Sequence, residues 1–207
     1  MSRTVVCISR AIGAGGEEIG RIVASELGFH YADEEIIVGA ALAAGVSPET
    51  VAQAEHTPRL LARILESMAR TPPATEGLSG VTPSQSLVTP KYEGIIESVI
   101  RTLARSGNVV IVGHGASLPL ADMGGVLRVL ITASPEVRAE RLAQETDLDG
   151  SRAKKAIRES DRQRQQYLRR FYDVERELPA HYDLVVNTDV LTVSLAARLV
   201  VSAAKGD

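Results

Sequence analysis

The residues best suited to chemistry lie in one glycine-rich stretch, Ser9-Arg10-Ala11-Ile12-Gly13-Ala14-Gly15-Gly16-Glu17-Glu18-Ile19-Gly20. Gly13, Gly15 and Gly16 let backbone N–H groups approach an anion with no Cβ in the way. Arg10 adds a cation within the turn. Glu17 and Glu18 suit the positive end of a following helix but repel a phosphate directly, so a carboxylate here is compatible with phosphate when a divalent cation lies between them. The chemistry such a set supports is the holding of a phosphate group. The turn fits no standard fingerprint. G-x-G-x-x-G needs glycine at Glu18, and G-x-x-x-x-G-K-S/T needs lysine at Gly16, a hydroxyl next to it and glycine at Arg10. Two readings therefore stay open: a phosphate cradle, and a tight strand-to-helix connection with no ligand.

A second concentration of chemistry lies at residues 151–176, with nine basic side chains (Arg152, Lys154, Lys155, Arg158, Arg162, Arg164, Arg169, Arg170, Arg176) against four acids. An arginine clamp over an anionic substrate is one reading, because the planar guanidinium fork matches phosphate oxygens. A solvated helix face with pairs such as Arg158–Asp161 or Asp161–Arg164 is another. A nucleic-acid stripe is a weaker third reading, because few aromatic residues interleave beyond Tyr167, Phe171 and Tyr172.

The surrounding elements explain how such groups would be positioned. Thr4–Ile8 is a short apolar run that reads as a buried strand, and Ile19, Ile22, Val23 and Leu27 recur at helical spacing up to Gly28. Asp33 is expected to cap a helix through about Ala44, and Ser47-Pro48-Glu49 to open another running to about Arg70. Residues 71–90, with four prolines, read as a mobile loop. Tyr92–Arg105 reads as a helix. Asn108–Val112 is a second buried strand ending in another glycine turn, Gly113-His114-Gly115. Val126–Thr132 is a third strand. Ser134-Pro135-Glu136 opens a helix to about Glu145, residues 151–172 form the basic helix, Tyr182–Asn187 is a fourth strand, and a closing helix ends near Ala204. Strands alternating with helices imply a parallel sheet covered on both faces, with ligands at the strand C-terminal ends. Both glycine turns lie at such ends.

With 207 residues, 44% of them hydrophobic, one globular domain is expected. A net charge of −3 argues against a general nucleic-acid binder. The single cysteine, Cys7, reads as a core residue. No stretch reads as a signal peptide or membrane span, so a soluble cytoplasmic protein is expected, with homo-oligomerisation left open.

Several blocks together resemble the cytidylate kinase-like family. VVCISRAIGAGGEEIGRIVASELGFHYAD resembles the P-loop strand, loop and helix of those kinases, with Asp33 where an aspartate follows their second strand. NVVIVGHGA resembles their strand ending in D-G-R-D. VLRVLITASPEVRAERLA resembles the strand and helix with paired arginines, here Arg138 and Arg141. SDRQRQ resembles the lid motif carrying Asp161, Arg162 and Arg164. YDLVVNTDVLTVSLAARLV resembles the last strand and helix, with Asn187-Thr188 where D-T or D-S is usual.

The resemblance implies a three-layer αβα P-loop kinase fold in a single domain, with a helical acceptor-binding insertion over about 45–107 and a short lid over about 146–165. It implies ATP and Mg²⁺ as phosphate donor and a nucleoside monophosphate, CMP or dCMP, as acceptor. Arg10, Asp161, Arg162 and Arg164 would be catalytic. Gly13, Ala14, Gly15, Gly16, Glu17, Glu18, Arg138 and Arg141 would hold the donor, with Glu18 toward the metal, and Asp33, Arg101, His114 and Gly115 would hold the acceptor. The family's lysine aligns with Gly16, its metal-binding hydroxyl with Glu18, and Val112, His114 and Gly115 replace three D-G-R-D residues. Arg10 and Glu18 are the expected substitutes for lysine and hydroxyl. A catalytically weak nucleotide-binding regulatory protein is the competing expectation.

Overall fold

The computed structural model describes residues 3–55 and 91–206. The loop expected at 71–90, and the helix expected between 56 and 70, lie outside the described residues. The strands are β1 (Val5–Arg10), β2 (His30–Ala32), β3 (Val109–Val112), β4 (Val126–Thr132) and β5 (Leu184–Asn187). The helices are α1 (Gly16–Leu27), α2 (Glu34–Ala44), α3 (Pro48–Glu55), α4 (Lys91–Ser106), α5 (Pro135–Glu145), α6 (Gly150–Tyr172) and α7 (Val193–Lys205). A short 3₁₀ turn covers Pro179–His181.

The five strands form one parallel sheet in the order β2-β3-β1-β4-β5. β1 is central, and its near-continuous apolar run reflects burial on both faces. Strand alternation divides its side chains. Val6 and Ile8 join Ile19 and Val23 of α1 and Val200 of α7 in one core. Val5 and Cys7 join Ile36 of α2, Ile96 and Ile100 of α4, and Leu120 in the other. This is the three-layer arrangement expected from the sequence. Burial pushes the Cys7 thiol up to about 12, as befits a core side chain.

Helix boundaries follow local chemistry. α1 ends at Gly28, whose φ of 67° is the left-handed conformation that glycine adopts freely. Ser134 accepts from the Val137 N–H with Pro135 at the first helical position, as expected. α6 starts one residue earlier than expected because Asp149 caps it, accepting from the Ser151 and Arg152 N–H groups. Asp33 precedes α2 but does not cap it, because its carboxylate is engaged by a side chain from another strand end.

Candidate active site

The glycine turn joins the C-terminal end of β1 to α1. Gly13 and Gly15 have φ of 77° and 79°. A Cβ at Gly13 would also lie 2.7 Å from the Arg138 carbonyl oxygen, so the turn tolerates no side chain there. Ala14 N–H bonds the Ala11 carbonyl, and Ile19 N–H bonds that of Gly15. The N–H groups of Gly13, Gly15, Gly16, Glu17 and Glu18 have no acceptor among the described residues. Gly15 stands at the N-cap with no side chain to fill that role. These are the donors an anion at a helix N-terminus needs.

Arg10 lies across this turn. Its Nε is 2.6 Å from Glu17 Oε1, an ion pair without hydrogen-bond alignment. Its stem packs on Gly16, where a Cβ would lie 2.5 Å from Arg10 Cβ. Its Nη1 lies 3.6 Å from the Cβ position of Gly113, so the guanidinium reaches between the two glycine turns. Neither terminal nitrogen of Arg10 has a hydrogen-bond partner among the described residues. Glu17 is spent on Arg10. Glu18 is exposed and has no ion-pair partner among the described residues.

The second turn is closed rather than open. His114, at φ 54°, points its ring nitrogen Nε2 at the Asp33 backbone carbonyl (3.0 Å) and at Asp33 Oδ1 (3.2 Å). Both partners are acceptors, so Nε2 carries the proton. Burial pushes the Asp33 carboxyl up, but the His114 bond and charge and the nearby Arg10 outweigh it and hold the carboxyl below its ordinary value. The hydroxyls of Tyr167 (2.9 Å) and Tyr172 (2.7 Å) donate to the His114 carbonyl. The Tyr172 ring occupies the space a side chain at Gly115 would need. Arg101 pairs with Glu97 (2.9 Å) and Asp122 (3.5 Å), and no described bond joins it to either glycine turn.

The arginines expected to clamp phosphate have other partners here. Arg138, 4% exposed, forks onto both Asp161 oxygens at 2.8 and 2.7 Å and donates to the carbonyls of Ala133 and Ile12. Arg141 donates to the Gly13 carbonyl (3.4 Å) and to Thr188. Arg162 is exposed and pairs with Glu159 on its own helix at 2.6 Å; that bond first, then one from Gln163, pulls the Glu159 carboxyl down to about 2. Arg164 does not pair with Asp161 along the helix. It bonds Glu177 (2.6 Å) and Ser9 Oγ (2.8 Å), and the Tyr182 hydroxyl donates to the same glutamate. Sequence reasoning missed Glu177 and Tyr182 as partners. Thr188 entered it only through the resemblance, at the D-T or D-S position after the last strand.

A parallel sheet with a glycine turn between its central strand and the first helix, and helices on both faces, is the fold of the P-loop kinases. A gluconokinase from Sinorhizobium meliloti superposes with a TM-score of 0.52 at 13% identity, covering 98% of this chain and 91% of that one. A protein from Eubacterium ventriosum superposes with a TM-score of 0.69 at 15% identity, covering 99% of each chain. The cytidylate kinase-like family model matches residues 5–190, and the chain belongs to that family. It is 31% identical over 159 residues to a cytidylate kinase of Paramagnetospirillum magneticum, covering 71% of this chain and 72% of that one. It is 28% identical over 109 residues to one of Pyrobaculum calidifontis, covering 53% of this chain and 59% of the relative's length.

Proposed function

We propose that this protein transfers the terminal phosphoryl group of ATP to a nucleoside monophosphate, with CMP or dCMP as the leading acceptors. One observation carries the reading. Five N–H groups of the glycine turn and both terminal nitrogens of Arg10 have no partner among the described residues and lie around one strand end. In the reaction an acceptor phosphate oxygen attacks the γ-phosphorus, the bond to the β–γ bridging oxygen breaks, and ADP leaves. Such transfer needs positive charge around the equatorial oxygens and little else from the protein. The turn's amides would hold the donor phosphates and Arg10 would supply the charge that the family's lysine supplies. Arg162, exposed on α6, would add the lid charge after release from Glu159. Mg²⁺, when bound, would supply charge that neutralises the phosphate oxygens, and Glu18 would be the carboxylate at the turn left to hold it. An acceptor carrying its own phosphate brings an anionic nucleophile that needs no general base from the protein.

The second reading is a nucleotide-binding regulatory protein of low turnover. It is favoured by the pairing of the lid groups, Arg162 with Glu159, Arg164 with Glu177 and Asp161 with Arg138. The chain also spans only 59% of the Pyrobaculum relative's length. A coupled ADP-release screen against all ribo- and deoxyribonucleoside monophosphates separates the two. Acceptor-dependent ADP release with one pyrimidine monophosphate supports the kinase. ATP binding without acceptor-dependent release supports the regulator.

The protein is expected to be cytoplasmic, and no described helix is long and apolar enough to cross a membrane.

A further inference from the structure

We infer that Thr188, with Arg141, is a positioning residue for the phosphate-binding turn, and the inference rests on the donor site proposed above. Three consecutive carbonyls of the turn are tied to one side. That of Ile12 accepts from Arg138 Nη1 (3.4 Å), that of Gly13 from Arg141 Nη1 (3.4 Å), and that of Ala14 from the Thr188 hydroxyl (2.9 Å). The shortest of these three bonds belongs to Thr188.

Thr188 is itself immobilised. It is 1% exposed, its N–H donates to the Thr132 carbonyl of β4 at 2.8 Å, and its own carbonyl receives Arg141 Nη2 at 2.5 Å. Its hydroxyl accepts from Arg141 Nη1 at 3.0 Å and has one hydrogen to give. That hydrogen goes to Ala14, with the Thr132 carbonyl at 3.3 Å as a second acceptor. The threonine thus stands between the end of β5 and the turn after β1, with Arg141 closing the third side.

A trans peptide points its C=O and the next N–H in opposite directions, and no peptide here is cis. Pinning the Ile12 and Ala14 carbonyls toward Arg138 and Thr188 therefore turns the Gly13 and Gly15 N–H groups away, toward the open side. Both glycines are flexible at positive φ, so without the clasp these peptides can flip and present oxygen where the phosphate needs N–H. Thr188 acts through the turn and touches no phosphate itself.

The test compares Thr188→Val, which keeps shape and loses the hydroxyl, with Thr188→Ser, which keeps the hydroxyl. Binding of Mg²⁺·ATP and of inorganic tripolyphosphate is measured by calorimetry, with circular dichroism and melting to confirm the fold. The valine variant should bind both anions about tenfold more weakly, the scale of one hydrogen bond, and the serine variant within about twofold of wild type. A merely structural role would lower melting and leave affinity of the folded fraction unchanged, which overturns the inference. If the valine variant does not fold, Arg141→Lys must show the same loss of affinity, and its failure to do so also overturns it. Wild-type protein that binds neither anion overturns the donor site and this inference together. Wild-type binding with unchanged valine and lysine variants overturns only the clasp.

Discussion

Arg10 and Gly16 share one volume: a Cβ built on Gly16 would lie 2.5 Å from Arg10 Cβ and 3.1 Å from its Cδ. Glycine at 16 is therefore what lets the Arg10 stem pass. On the proposed reading Arg10, the last residue of β1, stands in for the lysine that the family resemblance places at 16, the first residue of α1. Glu17, one residue further on, pairs with Arg10 from the helix side.

That relationship predicts a swap. Arg10→Ala alone should weaken ATP binding or turnover by about a hundredfold, the scale of one lost charge-assisted contact, and it also leaves Glu17 uncompensated. Gly16→Lys alone should lower stability, because its stem collides with Arg10. The double variant Arg10→Ala/Gly16→Lys should recover most of the affinity in calorimetric titration with Mg²⁺·ATP. A double variant as weak as Arg10→Ala would show that the position, and not only the charge, matters.

The lid arginines should separate cleanly. Arg162 is exposed, and its partner sits one turn away on the same helix, so Arg162→Ala should leave stability nearly unchanged while cutting kcat by about a hundredfold. Arg164 ties α6 to Ser9 of β1 and to Glu177, so Arg164→Ala leaves a largely buried carboxylate unpaired and should destabilise the fold by about 2 kcal/mol. Melting curves and kcat on the same two variants check both halves. Equal stability losses would contradict the assignment of different work to the two side chains.

Much of the fold was legible because it rests on local patterns. The run Val126–Thr132, the Ser134-Pro135 start and the Gly28 stop depend on neighbours within a few positions, and all stand where the sequence places them. The charged partners were not legible. Helical spacing offers Asp161 to Arg158 or Arg164, yet the packing of α5 on α6 gives it to Arg138, 23 positions away. Arg164 reaches Glu177 because Asp173, at φ 54°, ends α6 and turns the chain back. Asp33 looks like a cap from its neighbours, but parallel pairing of β2 with β3 brings His114 to its carboxylate from 81 positions away. A desolvated carboxylate takes the partner that three-dimensional packing supplies, and sequence distance does not encode it.

The Glu177 pairing carries a pH signature. Burial pushes its carboxyl up, but the Arg164 bond and charge, with the Tyr182 and Ser9 hydroxyls, outweigh that and hold it below the ordinary 4.5. A carboxyl depressed on folding contributes stability that is fully present above its unfolded value and is lost as pH falls through the folded one. The stability gap between wild type and Glu177→Gln should therefore be flat near neutral pH, about 2 kcal/mol, and should close as pH drops below about 4. Denaturant melts across that range measure it. A gap that does not change with pH would mean that the ion pair contributes nothing beyond its shape.

The last expectation concerns the metal. Among the described residues no three acidic, histidine or cysteine side chains gather into a cation site. Mg²⁺ carried on nucleotide phosphates needs only one or two protein oxygens. Of the two carboxylates in the first turn of α1, Glu17 is committed to Arg10, and Glu18 has no ion-pair partner among the described residues. Glu18→Ala should raise the Mg²⁺ concentration for half-maximal activity by about tenfold, one hydrogen-bond or ligand contact's worth. Glu18→Thr, which puts at this position the hydroxyl that the family resemblance implies, should stay active with a weaker dependence on Mg²⁺ than wild type but a stronger one than the alanine variant. Both substitutions also remove a charge that favours the helix N-terminus, a loss of about 0.3–1 kcal/mol of stability that is common to the two and cannot explain a difference between them. Activity titrated against Mg²⁺ at fixed ATP, with nucleotide affinity measured in EDTA as the metal-free reference, distinguishes the cases. Identical Mg²⁺ curves for wild type, alanine and threonine variants would remove Glu18 from the site and leave the metal held by nucleotide and water alone.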